Sequence, residues 1–153
     1  MRKYFLIFIV LLSLAGCGTT KLTPQRQQAL EQSINDKRFT VEVNYCMPMR
    51  MPSRSLTSEY FVKVTPDTLY SALPYFGEAR NVPYGGGTGL NFSAPIKEMG
   101  QLERKNDEQI LPVTVDHEGD LLTYYFHLFD NGKVTLDVIS RERDNISFLG
   151  EIK

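Results

Sequence analysis

The chain has no tryptophan, only two cysteines and two histidines, and no apolar run of the roughly 20 residues that a membrane-crossing helix needs. Two cysteines cannot build a disulfide framework. The histidines, His117 and His127, lie ten residues apart on different predicted elements, which is no metal-ligand spacing such as His-x-x-x-His. No Gly-x-Ser-x-Gly elbow, Cys-x-x-Cys or His-Glu-x-x-His occurs, so no nucleophile–base or metallohydrolase signature is present. The expectation is a protein that is not an enzyme and carries neither cofactor nor metal. A basic surplus is missing as well, because 17 Lys+Arg face 18 Asp+Glu. Nucleic acid, which wants a cationic face, is therefore excluded as a partner. No solenoid-type repeat or low-complexity tract is present.

What is present begins at the N-terminus. Arg2 and Lys3 form a small basic region, Tyr4 to Leu12 (YFLIFIVLL) is apolar, and Ser13 to Gly16 are mostly small. This is the three-part layout of a secretory signal. Leu14-Ala15-Gly16-Cys17 resembles a bacterial lipobox, in which cleavage precedes the cysteine and acyl chains are attached to it. An ordinary signal with a soluble product is the rival reading, and a cysteine directly after Leu-Ala-Gly argues against it. Each buried methylene contributes about 0.8 kcal/mol, so two or more acyl chains hold a domain on a bilayer durably. The expected organisation is a signal peptide over 1–16, a lipidated tether over 17–22, and one β-rich domain with an N-terminal helix over 23–153. The signal holds two of the 17 cationic residues and no acidic one, leaving 15 against 18 and a net charge of −3. A polybasic grip on anionic lipid is thereby excluded, and Cys17 is the attachment point. Cys46 is left without an intramolecular partner and reads as a small buried hydrophobe on a strand.

Thr23-Pro24 reads as an N-cap and first helical residue, and Gln25 to Lys37 as a short amphipathic helix with Ala29, Leu30 and Ile34 on one stripe. From Arg38 the period becomes two, with Phe39, Val41, Val43 and Tyr45 alternating with polar residues. The methionine- and proline-rich stretch Met47 to Ser53 ends that strand. Further strands are predicted over Leu56 to Val64, Thr68 to Leu73, Leu90 to Ala94, Gln101 to Lys105, Gln109 to Val115, Asp120 to Phe129, Val134 to Ile139 and Ile146 to Ile152. Asn131-Gly132 is the strongest hairpin signal, because a type I′ turn needs positive φ at both central residues. Short turns between eight or nine strands point to an all-β antiparallel meander. It is expected to close into a small barrel or a strongly curved sheet, with a β-sandwich as the alternative.

The central block is unusual. Leu73-Pro74-Tyr75-Phe76-Gly77 precedes a glycine-rich stretch, Tyr84-Gly85-Gly86-Gly87-Thr88-Gly89. Together with the Tyr60-x-Val62-x-Val64 strand and the closing Arg143-x-x-Ile146-Ser147-Phe148-x-Gly150, this block resembles the domain of unknown function 4251 family of exported Bacteroidetes lipoproteins. The likeness spans about Phe39 to Ile152. Where the family pattern leads one to expect tyrosine, the closing motif has Phe148, and so no hydroxyl. The resemblance implies a lipoprotein of a Gram-negative envelope and a domain similar to lipocalin-type barrels. It implies no activity, substrate or catalytic residue. Gly18-Thr19-Thr20-Lys21 carries no acidic residue of the kind that often directs such proteins outward, so the periplasmic face of the outer membrane is expected, with surface display the alternative.

The glycine stretch lacks the Lys and Ser/Thr of a phosphate loop, with Leu90-Asn91 in their places, and reads as a surface loop. Tyr75 and Phe76 could stack on a flat ligand, with Arg80 and Tyr84 as polar handles, or simply pack in the core. These four are the candidate ligand- or partner-binding residues. Functionally the chain reads as a membrane-anchored binding or accessory domain for a small molecule or an envelope protein. A structural or assembly lipoprotein making protein contacts only is the alternative, and a hydrolase the weakest reading.

Overall fold

The computed structural model describes residues 22–80, 89–106 and 108–153. Among these, a helix α1 (Pro24–Asn35) precedes strands β1 (Phe39–Pro48), β2 (Arg54–Val64), β3 (Thr68–Leu73), β4 (Leu90–Met99), β5 (Glu103–Lys105), β6 (Glu108–His117), β7 (Asp120–Phe129), β8 (Lys133–Ser140) and β9 (Ile146–Ile152). Pro24 opens α1 without needing the amide it lacks. Lys37, at φ 54°, stops it by turning the backbone left-handed. The Lys37 and Arg38 amides then donate to the carbonyls of Ile34 and Ser33, which satisfies the last turn. Leu30 and Ile34 are buried, whereas Ala29 is exposed, so the apolar stripe is narrower than the sequence suggests.

All strand pairings are antiparallel, in the order β4-β3-β2-β1-β9-β8-β7-β6-β5, and β4 also pairs with β6. Eight strands thus close into a barrel, and β5 is an extra strand on the free part of the β6 edge. The alternative of two packed sheets does not apply. Closure explains two prolines inside strands. Pro95 is the last β4 residue paired with β3, opposite Thr68, and β4 turns to β6 from Ile96 onward. Pro112 lies in β6 between the part covered by β4 and the part covered by β5, where the Gly100 amide donates to its carbonyl. Its missing N–H would have pointed into that same gap. A Cβ on Gly100 would stand 2.5 Å from the Pro112 ring.

The turns differ from the sequence reading in one instructive respect. Type I′ geometry occurs between β6 and β7, at Glu118 (φ 56°) and Gly119 (φ 85°). Between β7 and β8 only Gly132 has positive φ, and its amide donates to the Phe129 carbonyl. Asn131-Gly132 therefore makes a hairpin, but of the longer kind, a turn followed by a left-handed glycine.

Alternation sends Val41, Val43, Val62, Leu69, Leu111, Val113, Leu122, Phe126, Leu136 and Phe148 into the barrel, all essentially solvent-free. Tyr124 is inside too. Its hydroxyl donates to Ser71 Oγ at 3.1 Å, and Ser71 donates to the Leu90 carbonyl at 2.7 Å. Among the described residues no buried side-chain polar atom lacks a partner. Phe148 sits in this core, where a hydroxyl would require a partner of its own. Leu30 and Ile34 of α1 join the core cluster beside Phe39, so the helix lies at the end where β1 begins and β9 finishes.

Cys46 is fully buried in β1, and burial pushes its thiol up from 9.0 to about 11. The folded state then holds the proton more tightly than the unfolded chain. Stability from this group is intact below pH 9 and declines between pH 9 and about 11. Iodoacetamide at pH 8 should leave Cys46 unmodified until denaturant is added, and Cys46→Ala should lessen the decline in urea midpoint that begins near pH 9, leaving the part above pH 10 to the buried tyrosines. Alkylation of the native protein would contradict the assignment.

Candidate functional site

The end of the barrel opposite α1 gathers the residues that the sequence singles out. Beyond β3 the chain crosses this end. Ala79 forms a bridge with Arg143, the Arg80 amide donates to the Glu142 carbonyl at 2.6 Å, and the Asp144 amide donates to Glu78 at 3.0 Å. The Leu-Pro-Tyr-Phe-Gly block thus ties itself to the β8–β9 connection, 69 residues away at the Tyr75–Asp144 contact.

Tyr75 is half-buried, and its hydroxyl donates to the carbonyl of Asp144 at 3.0 Å, with the Glu78 carbonyl at 3.2 Å. Burial first, then the Asp144 carboxylate, raise its pKa above the ordinary phenol value. The Arg143 guanidinium lies 5.3 Å from the ring centroid. Gly77 allows this arrangement, because a Cβ there would come within 2.6 Å of the Tyr75 hydroxyl oxygen. Phe76 is half-buried, with the Arg54 guanidinium 4.4 Å above its ring. Both aromatics are therefore committed within the protein. Arg80 is exposed, while Cys17 and Tyr84 fall outside the described residues.

Behind Tyr75 stands a largely buried ion pair. Arg143 Nε donates to Asp120 Oδ2 at 2.7 Å, and Nη1 to the Gly89 carbonyl at 3.2 Å. Asp120 also accepts from Ser140 Oγ at 2.6 Å, which in turn accepts from the Glu142 amide. In front of this pair opens a cleft of about 480 Å³, lined by Met49, Arg50, Arg80, Ser140, Arg141, Arg143, Asp144 and Asn145. Arg50 Nε reaches Asp144 Oδ2 at 3.0 Å across it. The sequence reading found Arg80 but not Arg50, Arg141 or Arg143 as a group, since only the fold brings 50, 80 and 141–143 together. A second depression, about 420 Å³, lies on the outer face of β8, β9 and β1 between Asn44, Phe129 and Leu149.

Of the two histidines, His117 lies at this end, paired with Asp120 across the β6–β7 hairpin, and His127 does not. His117 stacks on Phe92 with centroids 4.1 Å apart, as part of β6 rather than of a solvated turn. His127 lies on the outer wall, with Nδ1 2.5 Å from Glu108 and Nε2 3.3 Å from Asp137. The carboxylates occupy opposite edges of the ring and cannot converge on one ion. Ser147 donates to Asp137 at 2.5 Å, so no imidazole receives the hydroxyl proton as it does in a catalytic triad. Among the described residues no cluster of His, Cys, Asp and Glu could hold a metal.

Comparison with known proteins agrees with this architecture. The family model described as "Domain of unknown function (DUF4251)" matches residues 21–152. A DUF4251 family protein from Bacteroides eggerthii DSM 20697, known from a crystal structure, is similar in fold, with a TM-score of 0.61 at 14% identity. The match covers 82% of this chain and 85% of that one. No curated protein matches the sequence.

The plugged end should carry measurable stability. Arg143→Met leaves Asp120 buried without its countercharge and is expected to cost about 3 kcal/mol. Tyr75→Phe removes one hydrogen bond and should cost about 1 kcal/mol. Urea unfolding of both variants checks the ranking, and an Arg143→Met protein as stable as the parent would refute it.

Proposed function

The chain belongs to the DUF4251 family, and from that premise we propose that it is an envelope lipoprotein whose barrel acts as a binding or accessory domain. The observation that carries the binding reading is the cleft of about 480 Å³ at the end opposite α1. A barrel packed by Tyr124, Phe126 and Phe148 has no room for a ligand inside, so recognition falls to the outer surface. The cleft at the end opposite α1, with Arg80 on its wall, is the concave surface nearest the conspicuous Tyr75–Gly77 block. Tyr75 braces that surface through Asp144 and Arg143.

The anchoring reading rests on Leu14-Ala15-Gly16-Cys17 with the basic and apolar regions before it. Among the described residues no helix is long and apolar enough to cross a membrane. Acyl chains on Cys17 are the proposed attachment, with the domain on the periplasmic face of the outer membrane. The second reading, an assembly lipoprotein making protein contacts only, draws on Met49 and Met51, which are 68% and 43% exposed beside the same cleft. A hydrolase is the weakest reading, having no nucleophile–base pair among the described residues to support it.

Intact-mass spectrometry of the protein from its native host tests the anchor. The expected mass is that of a chain beginning at Cys17 with two or more acyl groups, and an unmodified thiol there would overturn the reading. A thermal-shift screen of metabolites separates the two functional readings, since a ligand that binds the folded state raises its melting temperature. No shift, together with a stoichiometric envelope protein co-purifying, would favour assembly.

A further inference from the structure

Arginine is distributed unevenly over this molecule. Four of its nine arginines, Arg50, Arg80, Arg141 and Arg143, line the cleft at the end opposite α1, and among the described residues no lysine does. That concentration stands out in a mature chain with a net charge of −3. The type of cation matters. A guanidinium presents a rigid planar fork of donors that matches the two oxygens of a carboxylate or phosphate, which an ammonium cannot do.

Two of the four are held in place. Arg143 is fixed by Asp120 and the Gly89 carbonyl, and Arg50 by Asp144. Among the described residues Asp144 is the one carboxylate in the lining, and the same Oδ2 also accepts from the Glu78 amide at 3.1 Å. Glu78 stands at the rim, 3.6 Å from Arg50. The other two, Arg80 and Arg141, are exposed and form no ion pair among the described residues. Their backbone is nonetheless rigid, because the Ala79–Arg143 bridge and the Arg80–Glu142 hydrogen bond fix both segments. The cleft therefore has braced walls and two cationic forks without an ion-pair partner among the described residues. Its volume, about 480 Å³, falls in the range of small-ligand sites.

We propose that this cleft is an oxyanion-binding site, in which Arg80 and Arg141 clasp the carboxylate or phosphate of a small ligand against the wall formed by Arg50 and Arg143. Ser140 and Asn145 line the same cleft and Met49 gives it an apolar margin, so the ligand is an anion with a short polar or apolar body. This deepens the binding reading above and rests on it, but does not depend on the anchor. Failure of the mass-spectrometric test would leave it standing.

The test is calorimetric titration of the detergent-purified chain with citrate and with inorganic pyrophosphate at constant ionic strength. Saturable binding with Kd below about 1 mM is expected for at least one probe, and Arg80→Gln/Arg141→Gln should weaken it at least about tenfold. The control Arg26→Gln/Arg38→Gln removes the same charge near α1 and should change affinity less than about twofold, because distant charges act only through a screened field. Preference for citrate assigns the natural ligand to the carboxylates, and preference for pyrophosphate to the phosphates. No saturable binding of either probe, or equal weakening in both variants, would overturn the proposal. Circular dichroism of each variant confirms that it is folded.

Discussion

The seam between β4 and β6 is the constraint on which this architecture depends. Without it the sheet would end in two open edges, each a row of unpaired amides and carbonyls. The seam is short, running from Ile96 opposite Val115 to Met99 opposite Val113, with an irregularity between Ile96 and Glu98. Several local features follow from that brevity. Pro95 marks where β4 exchanges one neighbour for another, Gly100 lets the chain press against Pro112, and β5 covers the edge of β6 that the seam leaves open. On the far side of the barrel, β1 and β9 join the early and late parts of the chain over a longer ladder, from Val41 to Pro48. That ladder also demands a close approach, since Gly150 lies so near the Glu42 carbonyl that a Cβ would collide with it.

Closure decides what the protein can bind. A circle of eight strands encloses little more than its own inward side chains. Here aromatic and branched residues fill it, and the buried Tyr124 hydroxyl donates to Ser71, which donates to the Leu90 carbonyl. A lipocalin-like outline therefore does not bring a lipocalin-like cavity. Under the proposed binding reading, recognition would fall to the ends and the outer wall, where loops are free to carry charge.

Much of the fold was legible in the sequence, because alternation of period two states which face of a strand is buried. Phe39 to Tyr45 and Asp120 to Phe129 are plain examples. What was not legible depended on partners far away in sequence. Leu90 to Ala94 looked like a complete strand because Pro95 follows, yet β4 runs on to Met99 since a strand that changes neighbours can hold a proline. Asn131-Gly132 announced a hairpin of type I′, but only Gly132 is left-handed, so the hairpin is there with a different turn. At the candidate site, Tyr75, Phe76 and Arg80 drew notice as a local cluster. The motif around Tyr75 proved to be a brace whose counterpart lies at Asp144. Of the other cleft arginines, Arg143 was marked only as the first residue of the closing motif, and Arg50 and Arg141 carried no signal.

The two ends of the barrel divide the work. Leu22, five residues beyond Cys17, packs beside Gly132 at the end that holds α1. Five residues span at most about 17 Å, so under the proposed anchoring this end stays close to the bilayer. The arginine cleft is at the other end. Ten-residue β1, tilted as strands of an eight-stranded barrel are, separates the two ends by about 25 Å. At physiological ionic strength a charge that far from a surface is screened by about three Debye lengths. The cleft arginines consequently cannot serve to hold the domain against the headgroups of its own membrane. Under that anchoring they would face the aqueous side, where the proposed anion would arrive by diffusion, and the net negative charge of the rest of the domain leaves this end as the place where it would be met favourably.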